Sequence, residues 1–234
     1  KICKKLKEVQ EVKSRGMFEV VAESIGGIGG GGGGGLTVKD SDEQTIGLEA
    51  VSGLVWRCLT MENTGIIGLY GVEGVGKTTV LTQVNNRLLQ QKANGFDFVL
   101  WVFVSKNLNL EKIQDTIREK IGFLDRTWTS KSEEEKAAKI FEILSKRRFA
   151  LFLDDVWEKV DLKAGVPPPD AQNRSKIVFT TCSEEVCKEM SAQTKIKVEK
   201  LAWERAWDLF KKNVGEDTVK SHPDIAKVAQ EVAA

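Results

Sequence analysis

The sequence contains a glycine-rich loop of the kind that binds phosphates. Residues 70–81 read YGVEGVGKTTVL, and the segment from Gly71 to Thr78 matches the pattern G-x-x-x-x-G-K-[ST] in full. Glycines let backbone N–H groups turn inward around an anion, and the N-terminus of the following helix adds a partial positive charge of about 0.5. The Lys77 ammonium can reach the outer phosphates of a nucleotide, and the Thr78 hydroxyl can ligate Mg²⁺. This stretch therefore predicts a nucleotide–Mg²⁺ site.

Two acidic residues that follow an apolar run form the second candidate group. The segment FALFLDDVW (149–157) places Asp154 and Asp155 at the end of a predicted strand, where ligands bind in open α/β sheets. Beside a complete phosphate loop, Asp154 is expected to associate with Mg²⁺. Asp155 can polarise an attacking water as a catalytic base, and a helix cap or a loop hydrogen bond is the alternative for this residue.

The base of the nucleotide is indicated only indirectly. The Asn-Lys-x-Asp tetrapeptide expected of a GTPase occurs nowhere in the sequence, so adenine is favoured. Another predicted strand ends in the polar residues Thr180, Thr181, Cys182 and Ser183. These residues can lie near the terminal phosphate, or they can cap the helix predicted from residue 184.

Strands and helices alternate around these candidate residues. Apolar runs predict five strands, at residues 65–71, 96–105, 149–155, 175–181 and 195–201. Helical periodicity predicts helices directly after the phosphate loop, at 110–122 and at 132–147. Gly122 is a predicted C-terminal cap, and Ser132 with Glu135 is a predicted capping box. Since the strands are full apolar runs, the fold class is α/β, with a mostly parallel sheet covered by helices on both faces.

The chain divides into four predicted regions. Residues 1–25 form an amphipathic helix, the end of an N-terminal helical or coiled-coil region. Residues 26–44 are a linker that contains the tract GGIGGGGGGG, whose backbone freedom predicts flexibility. The nucleotide-binding domain covers residues 45–201, and the helical pattern of residues 202–234 begins another domain.

Composition narrows the function classes. The 234 residues carry a formal net charge of +1, so no nucleic acid is expected as a partner, because binding to phosphate backbones requires a basic excess or stripe. The four cysteines lack CxxC spacing and there is one histidine, which excludes a zinc site and fits reduced thiols in a cytoplasmic protein. No apolar run approaches the ~20 residues that span a bilayer. The first residue is Lys1 and no signal peptide is visible, so a fragment is expected.

Taken in order, several segments resemble the NB-ARC module of plant disease-resistance proteins, in the class with an N-terminal coiled coil and C-terminal leucine-rich repeats. They are TIGLEAVSGLVWRCL, GIIGLYGVEGVGKTT, FDFVLWVFVSKNLNLEKIQDTI, RRFALFLDDVW, SKIVFTTCSEEVC and LAWERAWDLFKKNVGEDTVKSHPDIAKVAQEVA. The resemblance runs from about Lys1 to the end and is interrupted at the glycine tract. It implies a P-loop NTPase three-layer sandwich with a five-stranded sheet, followed by the start of a helical ARC subdomain.

The resemblance also implies a function and a set of site residues. The function is that of a STAND-type ATP/ADP switch in an intracellular plant immune receptor, at most a slow ATPase. ADP would hold the resting state, and exchange for ATP would license oligomerisation and defence signalling. By position, the phosphates would be bound by Gly71, Val72, Gly74, Val75, Gly76, Lys77, Thr78 and Thr79. Thr78 and Asp154 would bind Mg²⁺, and Lys77 and Asp155 would be the catalytic residues. Ile46 and Gly47 would line the adenine pocket.

This sequence departs from the family pattern at three places. Glu73 stands where members often have glycine, and it puts an acid near the bound anion. Thr180-Thr181-Cys182 stands where the family usually carries TTR, so a cysteine replaces the arginine that reads the terminal phosphate. The chain is expected to stop before the GLPLA segment, the winged helix and the MHD motif, and so to lack the later ARC and leucine-rich-repeat regions.

Three functions stay open at this point. A switch would retain ADP and turn over far below ~10 s⁻¹. A conventional P-loop ATPase would have turnover as its purpose, and an inert interaction fragment would have a loop without a ligand. Among the smaller signals, the aromatic residues Trp101, Trp157, Trp203 and Trp207 are expected to pack in the core or in a domain seam rather than on a base. Cys182 and Cys187 are expected at a strand end and in the following helix, not as a redox pair.

Overall fold

The computed structural model describes most of the predicted nucleotide-binding region. The described residues are 47–61, 64–91, 95–104, 106, 109–162, 165–169, 173–220 and 225. They belong to the larger of two compact units, Gly32–Ala234; the smaller unit, Lys1–Gly31, lies outside the described residues. The predictions for the N-terminal helix, for the glycine linker, for Ile46 and for nearly all of residues 221–234 also lie outside them.

Helices and strands alternate through the described region. The strands are β1 (Ile66–Tyr70), β2 (Phe98–Phe103), β3 (Phe149–Val156), β4 (Lys176–Thr181) and β5 (Thr194–Lys197). The helices are α1 (Glu49–Thr60), α2 (Lys77–Gln90), α3 (Leu110–Lys120), α4 (Glu133–Leu144), α5 (Glu184–Glu189), α6 (Trp203–Val214) and α7 (Glu216–Lys220), and a short 3₁₀ helix spans Trp128–Ser130. All five predicted strands are confirmed; the largest difference is in the last, which ends at Lys197 and not at residue 201.

Helix α1 is an element that the sequence patterns did not predict. Its N-cap residue, Leu48, has no side chain that can accept a hydrogen bond from the first turn. Gly53 lies inside the helix, where glycine is unfavourable because of its backbone freedom. Glu49 in the first turn and Arg57 in the last turn suit the helix dipole, but the side-chain cap is absent, and α1 is held mainly by the packing of Val55 and Leu59 in the core.

The five strands form one sheet in the order β2–β3–β4–β1–β5. Every neighbouring pair is parallel, so the predicted mostly parallel sheet is parallel throughout. Strand β4 lies between β1, which leads into the phosphate loop, and β3, which carries the two acids. Parallel strands end at the same edge, so the loop, the acids and the end of β4 meet at the carboxyl edge of the sheet.

Helices cover both faces of the sheet and make a three-layer sandwich, which confirms the predicted fold class. On one face, α1 and α2 pack on the strands through Val55, Leu59, Val80, Leu81, Val84 and Leu88, against Ile67, Leu69, Phe152 and Val178. On the other face, α3, α4 and α5 contribute Ile113, Ile117, Ile140, Leu144, Val186 and Cys187, against Leu100, Leu151, Leu153, Ile177 and Phe179. Successive strand residues point to opposite faces, which is why these strands are apolar at nearly every position.

Local signals fix two of the helix ends as predicted. The Ser132 hydroxyl accepts from the Glu135 N–H at 3.3 Å, and the Glu135 carboxylate accepts from the Ser132 N–H at 2.9 Å, which is a capping box at the start of α4. Helix α3 ends at the C-cap Ile121, and Gly122 follows with φ of 69°. The N–H groups of Gly122 and Phe123 donate to the last free carbonyls of α3, each at 3.1 Å, as in a Schellman motif.

The tryptophan predictions hold only in part. Trp101 is buried and stacks on Phe152 with 6.0 Å between ring centroids. Trp157 and Trp203 are 39% and 41% exposed, so they do not pack in the core of the described region, and their packing in a domain seam stays a prediction. Trp157 follows the end of β3 at the sheet edge, and Trp203 lies on α6, in which no residue is buried. In the part of the chain that is described, no helix combines the length and the apolar character needed to cross a membrane.

Candidate functional site

The loop between β1 and α2 requires glycine at its first position. A Cβ atom on Gly71 would lie 2.4 Å from the Val198 carbonyl oxygen, which belongs to the backbone and cannot move aside. Gly76, the last residue before α2, has φ of 95°, a left-handed conformation that side-chain-bearing residues rarely adopt. These two glycines let the chain leave the sheet edge and enter the helix within six residues, 71–76.

The N-terminus of α2 is open toward the loop. Among the described residues, no side chain caps this helix, and its first turn contains no acid. By contrast, side chains of Asn109, Ser132 and Ser183 cap α3, α4 and α5. The unpaired N–H groups and the dipole of a helix N-terminus favour an anion, so this end of α2 fits a phosphate group.

Lys77 places a buried cation at the same point. Its side chain is 9% exposed, and Nζ donates to the carbonyl oxygens of Gly71 and Val72, each at 2.9 Å. Nζ also lies 3.5 Å from the Cys182 sulfur. Two of these partners are uncharged backbone carbonyls, and the ion pairs found among the described residues do not include Lys77. A buried ammonium without a counter-charge is costly, so the site is electrostatically suited to an anionic ligand.

A bulge in β3 aims both acids at the end of β4. Leu153 pairs with Phe179, but Val156 pairs with Thr181, so three steps along β3 match two steps along β4. Asp155 takes the extra position, with φ of 63°. A left-handed conformation at a residue other than glycine is uncommon and costs about 1–3 kcal/mol, although Asp adopts it more readily than most residues. Both Asp154 and Asp155 therefore oppose Thr180.

Asp154 faces the loop and is 3% exposed. Its Oδ1 accepts from the Thr78 hydroxyl at 3.0 Å and from the Thr180 hydroxyl at 2.6 Å. Burial raises the pKa of Asp154, and the two hydroxyl hydrogen bonds oppose part of that rise. A carboxylate and a hydroxyl side by side are hard oxygen ligands, so Asp154 and Thr78 fit Mg²⁺.

The neighbouring acid is bonded differently. The Asp155 N–H donates to the Thr180 hydroxyl oxygen at 2.9 Å, and its carboxylate accepts from the Trp157 indole N–H at 3.0 Å. The structure thus contains the loop hydrogen bond that was the alternative for this residue. Its catalytic role stays a prediction.

The end of β4 lies beside the phosphate loop and also caps the next helix; its position near a terminal phosphate stays a prediction. Thr180 bonds to Asp154, the Thr181 carbonyl accepts from the Gly71 N–H at 3.3 Å, and the exposed Cys182 borders Lys77. Ser183 then caps α5 by accepting from the Glu185 N–H at 3.1 Å. Thr180 is a site residue that sequence reasoning did not assign individually; a hydroxyl at the end of a buried strand was its signal.

The remaining predicted site residues lie around the loop. Val72, Glu73, Gly74 and Thr78 are exposed, and Val75, Gly76 and Thr79 are half-buried. Because Glu73 is exposed, its carboxylate is solvated, which weakens its repulsion of an anion in the loop. On the predicted adenine side, a Cβ on Gly47 would lie 2.6 Å from the Leu201 side chain, and one on Gly76 would lie 2.7 Å from Leu48. Gly47 thus lies beside the loop, and Ile46 is outside the described residues.

Comparison with known proteins points in one direction. The NB-ARC domain model matches residues 48–220. A protein of Arabidopsis thaliana named as a probable disease resistance protein is 97% identical over 235 residues, an alignment that covers 100% of this chain and 63% of that protein. The disease resistance protein RFL1 of the same plant is 41% identical over 234 residues, which covers 97% of this chain and 25% of RFL1. The chain thus spans less than two thirds of the length of these relatives.

Solved structures share the fold at low sequence identity. Cdc6p from Pyrobaculum aerophilum has a TM-score of 0.52 and 17% identity, over 70% of this chain and 48% of that one. The ORC2 protein of Aeropyrum pernix, solved in ADPNP and ADP complexes, has a TM-score of 0.52 and 12% identity, over 72% of this chain and 51% of that one. At these identities the likeness concerns the fold alone.

Proposed function

The chain belongs to the NB-ARC family, and from that premise we propose that it is a switch module that binds ADP or ATP with Mg²⁺ and changes shape with the nucleotide. The observation that carries the proposal is Lys77, a buried side chain that donates to two backbone carbonyls and makes no ion pair within the described residues, at the uncapped N-terminus of α2. Such a point attracts phosphate through charge and through helix N–H groups together.

Each predicted residue receives a role under this proposal. The phosphates bind to the backbone or side chains of Gly71, Val72, Gly74, Val75, Gly76, Lys77, Thr78 and Thr79, and the base lies on the side of Ile46 and Gly47. Thr78 and Asp154 hold Mg²⁺, which when bound neutralises phosphate charge. Asp155 is the candidate catalytic base. The hydroxyls of Thr78 and Thr180, both bonded to Asp154, orient that carboxylate toward the loop.

Two observations favour a switch over a conventional ATPase. The Asp155 carboxylate is bonded to Trp157, and the group beside Lys77 at the end of β4 is the sulfur of Cys182 and not a cationic side chain. Neither arrangement supplies charge or a free base to the terminal phosphate, so turnover is expected to be slow. ADP retention is then the resting condition.

The remaining parts of the proposal concern the whole protein. Residues 45–201 form the nucleotide-binding domain and residues 202–234 begin the helical ARC subdomain, after an N-terminal coiled-coil end (1–25) and a linker (26–44). The stacked aromatic residues of α6, none of them buried, suit a helix that packs on further chain. The complete protein would act in the cytoplasm as a plant immune receptor, with leucine-rich repeats and oligomerisation on activation.

A thermal-shift experiment tests the nucleotide site. ADP with Mg²⁺ at about 100 times its Kd should stabilise the chain by about 2.7 kcal/mol, and Lys77→Ala should abolish the ADP-induced rise in Tm. Lys139→Ala, which removes an exposed lysine of α4, is the control and should keep the rise. Because the ligand-induced shift is compared, any effect of Lys77→Ala on the fold itself cancels. An unchanged shift in Lys77→Ala would show that the loop is not the site.

Each of the three functions predicts a different experimental result. An inert fragment predicts no ADP-induced rise in Tm for the parent chain. A conventional ATPase predicts rapid, substrate-stimulated phosphate release near ~10 s⁻¹. A switch predicts that ADP is released when the purified chain is denatured, and that hydrolysis is far slower than that rate.

A further inference from the structure

Trp157 is an exposed tryptophan that is nevertheless held at two points. Its indole N–H donates to the Asp155 carboxylate at 3.0 Å. The Lys106 ammonium lies over its ring, 4.7 Å from the centroid. An exposed tryptophan with both its nitrogen and its face engaged has a defined position beside the nucleotide site.

Asp155 has little freedom to leave this bond. The bulge in β3 gives it a left-handed backbone, and its N–H donates to the Thr180 hydroxyl oxygen at 2.9 Å. The backbone is thus fixed to β4 and the carboxylate is fixed to Trp157. The two restraints act on opposite sides of one residue.

The two neighbouring acids consequently face different partners. The Asp154 carboxylate bonds to Thr78, at the start of α2, whereas the Asp155 carboxylate bonds to Trp157, two positions further along the chain and just after the end of β3. An acid that activates water at a terminal phosphate must come within hydrogen-bond reach of that water. For Asp155, the indole N–H of Trp157 holds Oδ2 on the Trp157 side, so turning the carboxylate toward the loop would weaken or break that bond.

We propose that Trp157 is a positioning residue that holds the Asp155 carboxylate away from the phosphate loop and thereby slows hydrolysis of bound ATP. The proposal rests on the nucleotide site proposed above. It assigns part of the slow turnover to one side-chain contact, in addition to the absence of a cation at Cys182. A hydrogen bond to a charged group is strong enough to change a rate by about tenfold when it must first be broken.

The test is a substitution that removes the N–H and keeps the ring. In Trp157→Phe, an aromatic face stays available to Lys106, but the Asp155 carboxylate loses its donor. Single-turnover hydrolysis of ATP should become about tenfold faster, while the Kd values for ADP and ATP stay within about twofold of the parent. The matched control is Trp203→Phe. Trp203 is also exposed but lies on α6, so this substitution should leave the rate unchanged.

A double-mutant cycle separates this role from a general effect on the fold. In an Asp155→Asn background, Trp157→Phe should not accelerate hydrolysis, because the carboxylate that it would release is gone. Asp155→Asn should also move the indole N–H resonance of Trp157 in a ¹⁵N-labelled sample, which reports the bond directly. Equal rates for Trp157→Phe and parent, or equal acceleration in both backgrounds, would overturn the proposal. If the parent itself shows no ADP-induced shift in Tm, the nucleotide site has failed instead.

Discussion

At the residue scale, one carboxylate oxygen connects three elements of the site. Asp154 Oδ1, on β3, accepts from Thr78 on α2 and from Thr180 on β4. A change at the loop that moves Thr78 must therefore change the bonding at the ends of two strands. This shared acceptor gives a direct route from bound nucleotide to the sheet edge, where Asp155 also bonds to Thr180.

Asp154→Asn should raise the Tm of the chain at neutral pH in buffer without nucleotide and metal. Burial raises the pKa of Asp154, so the folded state disfavours its ionised form. Ionisation of Asp154 therefore lowers the stability of the folded state. This loss of stability is absent below the unfolded pKa of about 3.8 and fully present above the raised folded pKa. The variant's advantage should therefore disappear as the pH falls toward 3.8.

The same variant should lose its response to Mg²⁺. Melts with ADP, recorded with and without Mg²⁺, should differ for the parent and coincide for Asp154→Asn, because the amide is a poorer ligand than a carboxylate. A lower Tm than the parent at pH 7 without ligands would contradict the predicted destabilising charge.

Cys182→Arg should favour ATP relative to ADP. The Cys182 sulfur lies 3.5 Å from Lys77 Nζ, so an arginine there adds a second cation at the point where a terminal phosphate would be bound. Charge-assisted hydrogen bonds contribute about 1.5–3 kcal/mol, so the ATP/ADP affinity ratio should rise by about tenfold or more. Calorimetric titration of both nucleotides measures the ratio. Cys182→Ser is the neutral control, and an unchanged ratio in Cys182→Arg would refute this placement.

At the residue scale, the phosphate-loop pattern predicted the backbone that this site needs. The residue types at positions 71 and 77 follow from local geometry and charge. A sequence motif of fixed spacing can therefore predict Gly71 and Lys77. The bond between Trp157 and Asp155 could not be predicted, because it depends on a bulge in β3. A bulge is a mismatch between two strands and leaves no pattern in either strand alone.

At the element scale, the contact of α5 with the sheet depends on Gly68 in the middle of β1. A Cβ there would lie 2.7 Å from the Cys187 sulfur and 2.9 Å from the Phe179 ring. Gly68→Ala should therefore destabilise the chain by about 1–3 kcal/mol, because the buried neighbours must shift to admit a methyl group. Urea unfolding of variant and parent measures this difference.

Gly53→Ala is the matched control for this prediction. Gly53 lies within α1, and a Cβ there would meet nothing within 4 Å. The substitution should stabilise the chain by about 0.5–1 kcal/mol, since alanine favours a helix interior over glycine. Cys187→Ala added to Gly68→Ala should recover part of the loss. If both glycine variants shifted stability in the same direction, the close contact at Gly68 would not be the cause.

Element types were predicted well where burial and periodicity agree. Strands β1, β3 and β4 are covered on both faces, so their apolar runs were unambiguous. Strand β5 lies at the sheet edge and alternates in exposure, so its extent was overestimated. Helix α1 was missed because it has no side-chain cap and contains Gly53, while most of its stability comes from the packing of Val55 and Leu59.

At the scale of the whole molecule, the site lies where the direction of the chain through the sheet reverses. From β1 the chain crosses to the far edge at β2, and from β4 it crosses past β1 to the other edge at β5. Helices α2 and α5 leave these strands on opposite faces. Ligands bind at such a switch point because the crevice opens there between diverging connections. The sequence indicated parallel strands but not their order, which follows from long-range pairing.

Cys187 offers a probe of the whole molecule. Its side chain is fully buried between α5 and the sheet, and burial raises the pKa of its thiol to about 11. The thiol should therefore react with iodoacetamide only after the chain opens, whereas the exposed Cys182 should react in the folded state.

ADP should protect both cysteines, for different reasons. At Cys182 protection is local, because the sulfur lies beside Lys77. At Cys187, protection requires that the unfolding that exposes the thiol be coupled to the distant loop. If this unfolding is global, ADP at about 100 times its Kd should slow labelling of Cys187 by about 100-fold. Peptide mass spectrometry follows both rates in one sample, and Lys77→Ala should remove both effects. Protection of Cys182 without protection of Cys187 would mean that α5 opens independently of the nucleotide, and that the chain does not respond to ADP as one cooperative unit.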